Sequence, residues 1–301
     1  MKEYIKKAAV LIEALPYIQN FRNAIVVVKL GGSVMENREL TKKALRDIVF
    51  MECIGMKPVI VHGGGKAITA KLKAENIPTH FINGLRFTSD KAIEIVDDVL
   101  HNQINAELVD ILNELGGSAK RLSGKEILKA EKMFTIDKQT EIKRDLGHVG
   151  NVYDVNIAKI LSLTDKDTIP VITPLALSDN NQIYNINADN AAAIIAEHLQ
   201  ARKLVFISDV PGILKNPNDE NSVISSIKLK EIEENIVEGI ITGGMIPKVR
   251  SAIQALNAGT NKVHFIDGRL QHSLLLEMFT NSGIGTQIIK ENSPLNLRIG
   301  L

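Results

Sequence analysis

The stretch that decides the fold is Pro58-Val59-Ile60-Val61-His62-Gly63-Gly64-Gly65-Lys66. Its first half is apolar and β-branched, the pattern of a buried strand. The run stops at three glycines, and a helical pattern follows from Ala67 to Ala74. A strand that turns through glycines into a helix leaves backbone N–H groups pointing outward, at the positive end of the helix dipole. Such a turn can hold negatively charged oxygen. The same device stands upstream, in Ala24-Ile25-Val26-Val27-Val28-Lys29-Leu30-Gly31-Gly32-Ser33. Neither turn fits G-x-x-x-x-G-K-[ST] or G-x-G-x-x-G, so neither usual nucleotide fingerprint is present. Glycine also caps helices and allows close packing, so one such turn says little. Two in one sheet predict an anion-binding site.

Outward from these turns, strands and helices alternate. Strands are expected at 24–30, 58–62, 169–172, 203–208, 262–266 and 286–289, with helices at 38–54, 66–75, 188–200, 228–236, 244–258 and 272–280. The alternation predicts an α/β fold, with a mostly parallel open sheet and helices on both faces. A helical pattern over 3–15 is interrupted by Pro16. A short segment at 80–88 precedes a long helix from about Ser89 to Leu115, capped by Gly116-Gly117. Residues 118–153 read as short antiparallel strands with a hairpin flap, 176–187 as a polar hairpin, and the last dozen residues as a tail. With no low-complexity linker, a boundary between two lobes falls near Thr173–Leu177, giving segments 1–22, 23–175 and 176–301.

At 301 residues and 45% hydrophobic content, the chain can bury a large core. A net charge of +1 gives no reason to expect nucleic acid or an anionic membrane as partner. The single cysteine, Cys53, excludes an internal disulfide and a cysteine-rich zinc site, and reads as a small core residue on a helix. Lys2, Lys6, Lys7 and Glu13 interrupt any apolar leader, and no run approaches membrane-spanning length. The expectation is a soluble, cytoplasmic protein.

Several charged residues stand where such a sheet binds ligands, outside the carboxyl ends of its strands. Lys29 lies one residue before a strand ends. It either snorkels to the surface or points into the site, where an ammonium stabilises a phosphoryl group in transfer. Asp189, in Asn185-Ile186-Asn187-Ala188-Asp189, is either an ordinary acid at a helix N-terminus or a carboxylate that orients lysines. Gly243-Gly244-Met245-Ile246-Pro247-Lys248 opens a helix with proline in its first turn, so Lys248 sits where the dipole disfavours its charge. An anion between them removes that conflict. Arg86, in Asn83-Gly84-Leu85-Arg86-Phe87-Thr88, is either a surface arginine or a bidentate clamp for a carboxylate.

Taken in order, Lys-Leu-Gly-Gly-Ser (29–33), Val-His-Gly-Gly-Gly (61–65), Asn-Gly-Leu-Arg-Phe-Thr (83–88), Asn-Ile-Asn-Ala-Asp (185–189), Ser-Asp-Val-Pro-Gly-Ile (208–213) and Gly-Gly-Met-Ile-Pro-Lys (243–248) resemble the amino acid kinase family, and within it the branch that acts on N-acetyl-L-glutamate. The resemblance runs from about residue 24 to 289. It implies a three-layer α/β/α sandwich, an N-terminal lobe for the acyl amino acid and a C-terminal lobe for ATP with Mg²⁺. The implied reaction moves the γ-phosphoryl to the side-chain carboxylate, a step of arginine biosynthesis. Lys29 and Lys248 would stabilise the moving group, with Asp189 holding both. Gly31, Gly32, Gly63, Ser208, Asp209, Gly243 and Gly244 would serve ATP and its phosphates. Gly64, Gly65, Arg86 and Asn185 would serve the acid, and no protein metal site is expected.

The helix before the first strand resembles that of arginine-inhibited hexameric members, in which such helices interlace dimers into a trimer of dimers. The matching effector positions would be Tyr17, Lys215, His264, Glu277, Gly283 and Gly285. Some relatives are also regulated by a P-II-type signal protein. Leu30 stands where tyrosine is commoner, and His148 and Asn151 stand where an aromatic and an acid are expected. Two alternatives stay open: a kinase for a carrier-linked aminoadipate or glutamate, and a non-catalytic ligand-binding protein on the same fold.

Overall fold

The two glycine-ended valine runs become neighbouring central strands, β1 (Ile25–Leu30) and β2 (Lys57–His62), in register from Ile25 opposite Lys57 to Leu30 opposite His62. The computed structural model describes residues 1–136, 141–280 and 283–290. The expected tail over 291–301 lies outside the described residues. Ahead of β1 stands α1 (Lys2–Phe21). Between β1 and β2 lie a one-turn α2 (Gly32–Met35) and α3 (Arg38–Cys53); β2 leads to α4 (Gly65–Ala74). A two-residue pair, β3 (Phe81–Ile82) and β4 (Leu85–Arg86), then feeds α5 (Asp90–Asp97), a π-helical stretch over Asp98–Ile104, and α6 (Asn105–Glu114).

The middle of the chain supplies β5 (Ala119–Leu122), a long hairpin of β6 (Leu128–Ile136) and β7 (Lys143–Val155), α7 (Ile157–Thr164), β8 (Ile169–Ile172), β9 (Leu175–Leu177) and β10 (Ile183–Asn185). The remainder adds α8 (Ala188–His198), β11 (Lys203–Ser208), β12 (Ser226–Lys228), α9 (Ile232–Val237), α10 (Met245–Asn257), β13 (Lys262–Asp267), α11 (Ser273–Phe279) and β14 (Thr286–Ile289).

The main sheet has 8 strands in the order β12-β14-β13-β11-β1-β2-β8-β5. Its neighbours run parallel except β13 and β14. Alternation along the strands separates two apolar layers. Val26, Val28, Leu30 and Ile60 pack with residues of α3, α6 and α11 on one face. Val27, Val59 and Val61 pack with α8 and α10 on the other. The alanines of α8 let that helix lie close to the sheet, and Ala191, Ala192, Ala193 and Ala196 are all fully buried. The outcome is the expected mostly parallel α/β sheet with helices on both sides.

Five expectations change. Helix α1 runs through Pro16, because only one backbone bond is lost and the buried Tyr17 and Phe21 anchor the turn beyond it. Residues 119–122 are a parallel edge strand of the main sheet, paired with β8, and not part of an antiparallel flap. The β6–β7 hairpin and the β9–β10 hairpin close into a four-stranded barrel. β12 is a further strand that the apolar pattern hides. Cys53 is exposed, since it falls on the last residue of α3 after the buried stripe has turned inward.

Candidate active site

The alternation that builds the layers also aims the chemistry. Lys29 follows Val28 on β1 and shares the α8 face with Val27, so its ammonium emerges beside the first turn of α8. Asn187 caps that helix: its side-chain oxygen accepts from the N–H groups of Asp189 (2.9 Å) and Asn190 (3.1 Å). Asp189 is thereby fixed in the first turn, facing β1. Its Oδ1 lies 2.7 Å from Lys29 Nζ, and its Oδ2 lies 2.9 Å from Lys248 Nζ. Lys248 comes from the opening of α10, behind Gly244 and Pro247. Three residues far apart in sequence therefore meet, and the two ammonium groups share one carboxylate.

Their electrostatics follow from that sharing. Burial drives the Lys29 ammonium below its ordinary range, Asp189 pulls it back up, and the neighbouring Lys248 charge lowers it again, for a net lowering. Burial pushes the Asp189 carboxyl up, but the two lysines more than reverse this and leave it below the usual carboxylate range. Two ammonium groups and one carboxylate leave one net positive charge. Lys29 and Asp189 line a cavity of about 400 Å³ with Gly32, Gly63, Gly64, Gly65, Arg86 and Asn185, among others, while Lys248 is tied to it through Asp189 and is not itself part of that lining.

The cavity wall is built by close approach. A Cβ on Gly64 would stand 2.6 Å from Leu100 Cδ2 and 2.8 Å from Ile104 Cδ1, so any larger residue in the turn after β2 has to push those two side chains aside. Arg86 is buried, not a surface residue. It donates to Thr79 Oγ1 (2.8 Å), Gly65 O (2.8 Å) and Thr69 Oγ1 (2.7 Å), and its guanidinium lies 4.6 Å from the centre of the Phe81 ring. Asn185, from β10 of the barrel, donates to Thr88 Oγ1 (3.3 Å). His148 ties that barrel to the start of α5 through Asp90 (2.5 Å).

The remaining positions fall elsewhere. Gly31 N–H donates to Ile207 O (2.9 Å), joining β1 to β11. Ser208 ends β11 with its hydroxyl buried, Asp209 is exposed just beyond it, and Gly243 and Gly244 lie exposed ahead of α10. All four stand outside the lining of the cavity. The effector positions divide. His264 Nδ1 meets Glu277 Oε1 at 2.6 Å, and Glu277 Oε2 accepts from Ile284 N–H (2.8 Å) and Gly285 N–H (3.0 Å). His264 and Glu277 are 0% exposed. Tyr17 packs on Phe279 of α11, with ring centres 6.1 Å apart. Gly283 N–H donates to Thr280 Oγ1, and Lys215 N–H to Ser222 O in the loop before β12.

Residue reading missed the partners behind the cavity wall. His62 and Asn105 are buried against the glycine turn, and the helix that carries Asn105 is irregular in a way no local sequence pattern announces. Asp98 accepts from Asn102 four residues on and from Gln103 five residues on, and the second spacing suits a π turn.

A family model described as the amino acid kinase family matches residues 24–267. The acetylglutamate kinase of Caldanaerobacter subterraneus subsp. tengcongensis is 48% identical over 289 residues, covering 95% of this chain and 94% of that protein. Among solved structures, N-acetylglutamate synthase from Neisseria gonorrhoeae, complexed with coenzyme A and N-acetyl-glutamate, superposes with a TM-score of 0.81 at 25% identity. That match covers 95% of this chain and 64% of the synthase, so the chain spans a little under two thirds of that protein. The same synthase complexed with coenzyme A and L-arginine gives a TM-score of 0.79 at 25% identity, covering 94% of this chain and 65% of the synthase. Fold and matches together define the class: an α/β kinase. The chain belongs to the amino acid kinase family.

Proposed function

We propose that this chain transfers the γ-phosphoryl group of ATP to the side-chain carboxylate of N-acetyl-L-glutamate, yielding N-acetyl-L-glutamyl 5-phosphate and ADP, as a cytoplasmic step of arginine biosynthesis. The observation that carries the reading is the pair of ammonium groups joined through Asp189 at a glycine-lined cavity. Near-full-length likeness to an acetylglutamate kinase supports the choice of acid.

The acceptor is already an anion at neutral pH, so no general base is required. A carboxylate oxygen forms the new bond to the γ-phosphorus while the bond to the β,γ-bridging oxygen breaks, and its electrons leave with ADP. Lys29 and Lys248 stabilise the charge on the equatorial oxygens; the Gly31 and Gly63 N–H groups are bonded to Ile207 O and Leu30 O, so the glycine turns offer the same group the N–H donors of Gly32 and Gly64. Arg86 and Asn185 hold the acid, leaving Ser208, Asp209, Gly243 and Gly244 on the C-terminal lobe for the nucleotide. Asp189 spends both oxygens on lysines, so it does not suit a metal. The residues present suit a Mg²⁺ ion that would enter with ATP and would neutralise phosphate charge there.

Regulation follows the same reading. L-Arginine would inhibit by binding among Tyr17, Lys215, His264, Glu277, Gly283 and Gly285, and the synthase solved with L-arginine supports this. Because Glu277 already holds His264 and two backbone N–H groups, a guanidinium reaches it only when those donors give way. The exposed Tyr4, Ile5, Val10 and Leu11 on α1 suit a subunit contact in a hexamer built as a trimer of dimers. A P-II-type signal protein is a candidate regulator of that assembly.

The test is direct. Incubation with ATP and N-acetyl-L-glutamate in the presence of hydroxylamine should trap the acyl phosphate as a hydroxamate. N-acetyl-aminoadipate, free glutamate and carrier-linked acids should give far less, and equal turnover of any of them would overturn the substrate assignment. Removal of residues 1–20 should abolish both arginine inhibition and the hexamer.

A further inference from the structure

The glycine turn that follows β2 is held from the face of the sheet opposite Lys29. His62 ends β2 on the same side as Ile60, and its imidazole is 0% exposed. Its Nδ1 lies 2.9 Å from Gly63 O, and its Nε2 lies 3.1 Å from Asn105 Nδ2. Asn105 is also 0% exposed, and the same Nδ2 donates to Val171 O at 2.8 Å. Val171 O can only accept, which fixes the orientation of the amide. The second amide hydrogen then faces Nε2, so Nε2 must carry a lone pair. A neutral imidazole with an accepting Nε2 has its proton on Nδ1, and that N–H donates to Gly63 O.

We propose that His62 is a positioning residue: its Nδ1–H pins the Gly63–Gly64 peptide so that the Gly64 N–H faces the cavity, and Asn105 selects the tautomer that does this. The peptide is trans, so its C=O and N–H point in opposite directions. Drawing Gly63 O toward the α6 face turns the Gly64 N–H toward the α8 face, where Lys29 and Asp189 stand. The π turn makes the arrangement possible. Its extra residue rotates everything downstream by about 100°, which brings Asn105 round to the sheet. The same turn presses Leu100 and Ile104 against Gly64, so one irregular stretch both boxes the glycine and delivers its second support. Burial, aided by the nearby His101, holds the imidazole neutral, with its pKa lowered to about 4.

The inference rests on the kinase reading for its kinetic arm only. An asparagine amide nitrogen superposes on Nδ1, and a glutamine amide nitrogen superposes on Nε2. His62→Gln should lower kcat at least about tenfold while KM for the acid moves less than about threefold. His62→Asn should recover turnover to within about threefold of the native protein, although it loses the Asn105 contact and melts at least as low as His62→Gln. Turnover that follows melting temperature in both variants, or equal activity of the two, overturns the proposal. The second arm needs no activity and no folded variant of His62. In the full chain labelled with ¹⁵N-histidine at pH 7, His62 should show a protonated Nδ1 and an unprotonated Nε2. Asn105→Leu should erase that preference. A protonated Nε2 in the native protein overturns the proposal whatever acid the enzyme phosphorylates.

Discussion

Asp189 and Glu277 are both buried carboxylates, and they differ in what their partners have left over. Glu277 is held by an imidazole nitrogen and two backbone N–H groups, at 0% exposure. Every strong donor there is consumed inside the protein. Asp189 is held by two lysines, and an ammonium has three hydrogens. One from each lysine meets the carboxylate, and on the proposed reading the others are left for a ligand. Burial alone therefore does not distinguish a structural carboxylate from one that serves a ligand. The unspent donor capacity of its partners does.

The largest effect should come from removing that surplus. Lys248→Ala should lower kcat by about a thousandfold or more in a steady-state assay, since one of two cations facing the transferring group is lost. Its unfolding free energy from urea titration should change by less than about 1 kcal/mol, because Lys29 still pairs Asp189. Normal turnover in this variant would break the contrast at its active end.

The next effect separates Asp189 from a third buried group, His62, which is sealed and uncharged. The folded pKa of His62, about 4, lies below its unfolded value, so the unfolded chain takes the proton first as pH falls. Its contribution is intact above pH 6.5 and is lost between pH 6.5 and about 4, amounting to roughly 3 kcal/mol. Asp189 acts in a lower window. Its folded pKa is depressed, so its contribution holds above the ordinary carboxylate range and fails only as pH drops through that range and below. Urea titrations at pH 7, 5.5 and 4 should show a loss that His62→Asn removes and Asp189→Asn does not.

The smallest effect tests the sealed end. Glu277→Gln should cost about 2 kcal/mol in urea, the scale of charge-assisted hydrogen bonds weakened in the interior. A neutral result would mean that Glu277 is not a structural anchor, and the comparison with Asp189 would lose its second term.

The central sheet was legible because its strands are unbroken apolar runs ended by glycine, as in Val59-Ile60-Val61 before Gly63. The barrel was not, since β9 and β10 are three residues each and their closure depends on contacts with β6 and β7 that no local pattern encodes. Lys29 and Lys248 could each be suspected from local context, but their meeting through Asp189 depends on three elements converging, and sequence spacing is blind to that. The π turn was invisible for a related reason: the apolar residues from Ile93 to Leu112 keep roughly helical spacing through it. His62 looked like one more residue of an apolar strand because its role is set by Asn105, which lies 43 positions away.

The shared carboxylate has one more consequence. Two like charges side by side would ordinarily spread apart, and a phosphate arriving between them would have to gather them. Here the mutual repulsion of Lys29 and Lys248 is offset once, as the chain folds around Asp189. On the proposed reading, an incoming nucleotide would meet two cations already gathered around one carboxylate.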